Sequence, residues 1–412
     1  MTTNKRNNLL LATAIFLLVV ACNKLTEPFV PGLPKEDEML DGPIEGLTGI
    51  ENQQFLAGDA AFNNEVFSAS LGLGPYFVAT SCGACHAGDG KGHPFTTLTR
   101  FGQSDSTGNK YLHLGAPQLQ NRAIPGYTPE TIPIGATSSR FTPPANTGLG
   151  FLMALTDAQI LANSDPNDNN GDGISGRPNY INPPSYFISS WLHQPLNNKY
   201  IGRFGKKAAA IDLLHQTVNA YNQDMGITSE FSPNEPAING VKSPYFDQVS
   251  DFEVSTNTVE DVVFYLRTLK APIQRNQTKN EIIEGKTIFL NSDCGKCHTP
   301  SFTTPNSDIS GLSNKTFYPY SDLLLHDMGL SLDDGYTEGI ALTSEWRTPP
   351  LWGLGLSKSS QGGQYFLMHD GRAKSITEAI LLHGGEGINS KNKFTTLSEA
   401  DKQKLIQFLE SL

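Results

Sequence analysis

Two stretches of this 412-residue sequence carry the same reactive frame, Cys82-Gly83-Ala84-Cys85-His86 and Cys294-Gly295-Lys296-Cys297-His298. Two thiols three positions apart on one turn can bond both vinyl groups of one porphyrin. The adjacent His then lies under the iron as its axial ligand. A zinc ribbon would need a second Cys pair at short range, and none follows either frame. A thioredoxin-like redox pair would not require a His after the second Cys. The frames therefore predict two covalently bound haem c groups, held by Cys82, Cys85, Cys294 and Cys297, with His86 and His298 as proximal iron ligands. The chain has 5 Cys in all. An odd total with this spacing argues against a disulfide framework.

The occupant of each iron's sixth position decides its job: a His or Met there gives electron transfer, and an open site gives chemistry. Seven further His are available: His93, His113, His193, His215, His326, His369 and His383. His383 stands out because it ends an apolar helical run, Ile376–Leu382, just before a Gly pair; Met328 and Met368 compete with it. For the first haem, His93, His113 and an open site all remain candidates. A separate stretch, Asp168 to Gly176, places oxygen donors Asp168, Asn170 and Asp172 at positions 1, 3 and 5, with Gly173 at 6. This is the front half of an EF-hand-like loop and predicts one structural calcium ion, although Asn179 replaces the closing Glu at position 12. Trp191, Trp346 and Trp352 could conduct between haems or simply fill an apolar core.

Charged residues make up only 17% of the chain, which also contains 39 Gly and 26 Pro. A typical soluble domain is roughly 25% charged. The mix excludes a coiled coil, a collagen-like chain and a polar disordered tail, and it fits a globular, loop-rich protein. Lys5 and Arg6 precede an apolar run from Leu9 to Ala21, too short to span ~30 Å of hydrocarbon but of signal-peptide length. Its end, Val19-Val20-Ala21-Cys22, resembles a bacterial lipobox. This predicts a signal peptide over 1–21, lipidation of Cys22, and a Pro- and Gly-rich tether over 22–45. The protein would then be a periplasm-facing or cell-surface membrane lipoprotein, on the outer membrane; ordinary secretion with a free Cys22 is the alternative. The formal charge of −11 becomes more negative on loss of Lys5 and Arg6. No Lys/Arg cluster with interleaved aromatics is present, which excludes nucleic acid as a partner.

The frames sit in similar surroundings. An amphipathic stretch over 281–290 leads into Cys294, and a comparable one over 52–62 precedes Cys82. Each unit closes with a helix: Thr258 caps one carrying Val262, Leu266 and Leu269, and Ser398 caps one carrying Leu405, Leu409 and Leu412. The expected fold is mainly α and loop-rich, with two cytochrome c-like domains. The first, 46–270, is enlarged by insertions; the second is 281–412, after a linker over 271–280.

Several stretches together resemble the bacterial di-haem oxidoreductases, also described as di-haem peroxidases or predicted thiol oxidoreductases, distant relatives of di-haem cytochrome c peroxidases. They are Leu73-Gly74-Pro75-Tyr76-Phe77, Pro117-Gln118-Leu119-Gln120, Arg203-Phe204-Gly205 and Asp224 to Ser229. Toward the C-terminus come Ser321 to Gly329, Trp346 to Gly353, His369-Asp370-Gly371-Arg372-Ala373 and His383-Gly384-Gly385-Glu386. One departure is visible: after Gly205 the family pattern has Trp-Lys, and this chain has Lys206-Lys207. The resemblance implies that His383 occupies the distal ligand position of the second haem, where relatives carry Met, which should lower that iron's potential. It also implies peroxide chemistry at the first haem, with Gln118, Gln120 and Glu130 the nearest distal candidates by position. Electrons from a redox protein or quinol-linked donor would enter at the second haem and pass to the first, where a small oxidant such as peroxide is reduced. Two other functions fit the frames: an electron-transfer cytochrome without chemistry of its own, and a redox accessory of a metal or iron uptake system. The thiol oxidoreductase description gains little, because every Cys is assigned to lipid or haem.

Overall fold

Five helices position everything that follows. They are α1 (Gly49–Asn64), α2 (Thr256–Thr268), α3 (Asn280–Asn291), α4 (Ile376–Leu382) and α5 (Glu399–Ser411). Helix α1 starts at a reciprocal cap, in which the Thr48 hydroxyl accepts from the Glu51 N–H and the Glu51 carboxylate accepts from the Thr48 N–H. Helix α2 buries Val259, Val262, Tyr265 and Leu266, one face at helical spacing, and lays it on α1. In the same way α5 buries Leu405, Phe408 and Leu409 against α3.

Both pairs cross at a glycine. A Cβ on Gly58 would stand 2.0 Å from the Asp261 carbonyl oxygen and 2.6 Å from the Tyr265 Cβ; on Gly285 it would stand 2.2 Å from the Lys404 carbonyl oxygen and 2.7 Å from the Phe408 Cβ. One turn further on, Phe62 meets Tyr265 at 5.5 Å between ring centroids, and Phe289 meets Phe408 at 5.4 Å. The same two phenylalanines then face the His86 and His298 rings at 6.0 and 6.4 Å. The internal repeat thus extends from the sequence to a shared packing geometry.

The computed structural model describes residues 35–106, 108–236 and 249–412, so the signal segment, Cys22 and most of the tether lie outside the described residues. Helix accounts for 35% and strand for 11%, the strands forming two-stranded antiparallel ladders. Two ladders matter here: β1 (Leu98–Gly102) with β2 (Thr137–Phe141), and β3 (Leu325–Asp327) with β4 (Glu345–Arg347). Residues 177–207 are stitched to the second ladder. Arg177 bridges to Leu325 and pairs with Glu345 at 2.5 Å, while the buried Lys207 ammonium donates to the Leu342 and Glu345 carbonyls, each at 2.7 Å. Residues 37–412 consequently form one compact unit. Inside it, the fully buried Arg203 donates to Asp157 at 2.6 Å and to the carbonyls of Met153 and Leu155.

Two local expectations need correction. Helix α2 begins two residues before Thr258, because Ser255 is the cap: its hydroxyl accepts the Thr258 N–H, leaving Thr258 within the first turn. Trp191 fills no core, being 67% exposed, whereas Trp346 and Trp352 are buried.

In an open helix interior Gly→Ala gains up to ~1 kcal/mol. At Gly58 and Gly285 the added carbon meets backbone that cannot move without separating the helices, and overpacking of this kind costs about 1–3 kcal/mol. The clash wins. Gly58→Ala and Gly285→Ala should each lower the unfolding free energy by a net of roughly 1–2 kcal/mol, seen as a lower denaturant midpoint by circular dichroism.

Candidate haem-binding sites

Each frame closes as a single tight turn. The Cys82 carbonyl accepts from the N–H groups of Cys85 and His86, and the Cys294 carbonyl accepts from those of Cys297 and His298. The turn brings both thiols of a frame and its His together. His86 Nδ1 then lies 2.9 Å from the Pro144 carbonyl oxygen, and His298 Nδ1 lies 2.9 Å from that of Tyr320. A carbonyl can only accept, so Nδ1 carries the hydrogen in both and Nε2 keeps its lone pair. Burial reinforces the neutral form and pushes each imidazole down to about 4. Burial also pushes the thiols of Cys82, Cys85 and Cys294 up to about 12 and raises that of Cys297. Such a setting penalises the thiolate that a zinc site needs, and it suits an uncharged thioether. The residues present therefore fit a thioether-bound haem at each frame.

His383 follows the last turn of α4 and repeats the pattern. Its Nδ1 donates to the Ala379 carbonyl at 2.8 Å, so Nε2 is again the free nitrogen. The ring is near enough to His298 to disfavour its protonated form.

The sequence reading did not anticipate the group behind the second frame. His326, on β3, is buried with Nε2 2.8 Å from Asp322 and Nδ1 2.6 Å from Glu386. Although burial opposes it, the Asp322 carboxylate and the Glu386 bond hold this imidazole protonated well above its usual range. Its Nδ1 also lies 3.6 Å from Cys297 Sγ. From the sequence His326 is one of seven candidate His and Asp322 only part of a resembling stretch, and Glu386 joins His326 from 60 residues away.

The distal candidates named for the first haem are brought together. Glu130 is buried and accepts the Gln120 N–H at 2.8 Å, while the Gln120 amide donates to the Gln223 carbonyl at 3.2 Å. Gln118 donates to Asp224, whose carbonyl accepts from Val78 and Ala79 just upstream of Cys82. Asp224 is close enough to both thiols of that frame to affect them. Gln118, Gln120 and Glu130 each keep one buried side-chain oxygen without a partner. Burial raises Glu130 to about 7 and Asp224 to about 6. Of the other ligand candidates, His113 is exposed on the turn Leu112–Leu114, and His93 is half-buried, accepting the Phe95 N–H at 3.2 Å.

The expected calcium loop is organised around its own backbone. Asp168 accepts the Gly173 N–H, Asn170 that of Asp172, and Asp172 that of Ile174. The free side of Asp172 pairs with Lys296 of the second frame at 3.1 Å. Asn179 lies elsewhere, buried between the Lys207 and Glu338 carbonyls, because the chain turns away after Gly176. Among the described residues no group of three His, Cys, Asp or Glu side chains is placed to hold a metal ion. The loop instead docks on the second frame, and the Ser175 hydroxyl donates to Glu386 at 2.6 Å.

These contacts differ greatly in worth. The Asp172–Lys296 pair is partly exposed and worth about 0–1 kcal/mol, whereas removing Glu386 strips one carboxylate from a buried imidazolium, a loss of about 3–5 kcal/mol. Urea titrations of Asp172→Asn and Glu386→Ala should show that order.

A family model described as "Di-haem oxidoreductase, putative peroxidase" matches residues 137–412. No curated protein matches. A solved structure of Kuenenia stuttgartiensis hydrazine synthase is similar over 94% of this chain and 98% of its own, at 13% identity and a TM-score of 0.40. The family match takes in the second frame, the His326 group and His383, and with it the chain is identified as a member of the di-haem oxidoreductases, a family of two-haem redox proteins.

Proposed function

We propose that this chain is an exported, lipid-anchored di-haem c oxidoreductase that reduces a small oxidant such as peroxide. Cys82 and Cys85 would hold one haem with His86 as ligand; Cys294 and Cys297 would hold the other between His298 and His383. Bound there, the haems supply one-electron redox chemistry and an iron position at which a small oxidant can be reduced. The two units, 46–270 and 281–412, would be cytochrome c-like, with electrons passing from the second to the first from a redox-protein or quinol-linked donor. Support for export and the anchor comes from Val19 to Cys22, which lie outside the described residues. A calcium ion at Asp168, Asn170 and Asp172 would rest on the spacing of the loop alone, since Asp172 pairs with Lys296 and Asn179 lies elsewhere.

The observation that carries the reading is the buried Gln118–Gln120–Glu130 cluster beside the first frame, with three side-chain oxygens that find no partner among the described residues. Buried polar atoms ordinarily find partners, and exceptions concentrate at functional positions. Glu130, raised by burial to about 7, holds a proton at its carboxyl near neutral pH and gives it up as the pH rises through that value. It can therefore donate a proton to an oxygen atom of a small oxidant, while Gln118 and Gln120 orient it. General acid catalysis of this kind contributes about 10²–10⁴-fold.

Two outcomes follow. Peroxide-dependent turnover should fall as pH rises through about 7; Glu130→Gln should lose about 10²–10⁴-fold of the rate and, with it, that limb of the pH profile. In electronic absorption and paramagnetic resonance spectra, His383→Ala should convert one ferric centre from low to high spin and leave the other unchanged. If both ferric centres of the unaltered protein are six-coordinate and low-spin in every redox state, and peroxide leaves the spectrum unchanged, the enzyme reading fails.

A further inference from the structure

We propose that Lys91, Lys206 and Arg347 form the carboxylate-binding pocket of the first frame and take the two propionates of its haem. The inference rests on haem attachment at Cys82–His86 and adds residues that neither the frame nor the distal cluster includes.

Three separate segments converge on this place. Arg347, at the end of β4, is 9% exposed; its N–H donates to the Lys206 carbonyl at 3.0 Å and its Nε to the Gly205 carbonyl at 2.8 Å. The guanidinium is thereby fixed beside Lys206. Lys91 adjoins the frame itself: a Cβ on its neighbour Gly92 would stand 2.6 Å from the Cys85 carbonyl oxygen. The Gly92 N–H donates to Pro143, and His86 Nδ1 to Pro144, so Lys91 and the proximal His flank one Pro-Pro step. Lys206 is close enough to His86 to disfavour its protonation, and to Lys91 and Arg347 to share their mutual repulsion.

What these cations lack is an anion. Asp370 is the carboxylate nearest in effect to both lysines, but it is bound to Arg372 at 2.8 Å. Asp322 is the one that acts on Arg347, and it is bound to His326 at 2.8 Å. The Lys91 ammonium reaches only the Met368 carbonyl, at 3.5 Å. Among the described residues no carboxylate forms an ion pair with any of the three. Arg347 is buried and Lys91 and Lys206 are half-buried; crowding like charges there without a counter-ion is unfavourable, and a doubly negative group joining the trio relieves it. A haem brings two carboxylates on one edge, and a planar guanidinium with two ammonium groups is a fitting set of donors for them.

A cation against a propionate offsets negative charge on the haem and favours the reduced iron. The test uses the full-length chain matured with haem, its content fixed by the pyridine haemochrome spectrum, with each haem's midpoint read by spectroelectrochemistry and the propionate bending modes by resonance Raman. Lys206→Met should lower the midpoint of the first haem, shifting its ferric/ferrous ratio about tenfold, or ~59 mV for one electron. It should also move one propionate mode and leave the second haem unchanged, and Lys206→Arg should restore both. Lys91→Met should shift the same haem in the same direction. If Lys206→Met fails to load haem while Lys206→Arg loads it, the requirement for charge is upheld; if neither loads, the Lys91→Met midpoint decides by the same criterion. Normal loading with unaltered midpoint and propionate modes in Lys206→Met and Lys91→Met overturns the pocket while leaving haem binding intact. Absence of haem c from the unaltered protein overturns both.

Discussion

The two helix crossings are the constraint from which the rest of the structure hangs. At Gly58 and Gly285 the facing backbone comes so close that no side chain fits. That approach lets Phe62 and Phe289, one turn later, pack at once on the partner helix and on the proximal His of each frame. Separating either pair by the width of a methyl group would remove the aromatic wall behind an imidazole. The position of each free Nε2 then depends on one further bond, from Nδ1 to the carbonyl of Pro144 or Tyr320. A helix contact and a single hydrogen bond together set where each imidazole's free nitrogen points.

On this repeated scaffold the polar surroundings diverge. The second frame has a free imidazole nitrogen from His383 nearby and a closed network of His326, Asp322, Glu386 and Ser175, in which every strong group has a partner. Around the first frame, among the described residues, three buried oxygens on Gln118, Gln120 and Glu130 lack donors, and Lys91, Lys206 and Arg347 form no ion pair with a carboxylate. Satisfied networks hold geometry, and unsatisfied ones await a ligand. The two frames thus share a scaffold and differ in how far their polar surroundings are internally paired.

What could be read from the sequence was local. The frames, the Ser398 cap, the apolar faces of α2 and α5 and the His at the end of α4 each lie within a dozen residues, where spacing determines geometry. What escaped was built across long separations. Asp168, Asn170 and Asp172 have cation-loop spacing, yet the loop is used to dock on Lys296 and Glu386, more than a hundred residues away. Trp191 was weighed as core from its type alone, and its position on a long surface loop leaves it exposed. Lys206 was legible only as a missing aromatic. That it faces His86 among other cations depends on Arg347 gripping residues 205 and 206, a pairing between distant segments.

The same long-range stitching bears on how the two frames can communicate. Residues 177–207 belong, by sequence, with the first frame, yet Arg177 and Lys207 are bonded to β4 and its approach. Strand β4 carries Trp346 opposite His326, the neighbour of Cys297, and continues directly into Arg347 at the cationic group of the first frame. A three-residue strand therefore touches the surroundings of both frames. Lys207 lies over the Trp346 ring at 3.9 Å, and His369 stacks on it at 3.6 Å, so the strand has little freedom to shift. Asp322, which holds His326, is also the carboxylate that favours the charged form of Arg347. Strand β4 and the Asp322 carboxylate thus link the surroundings of the two frames physically.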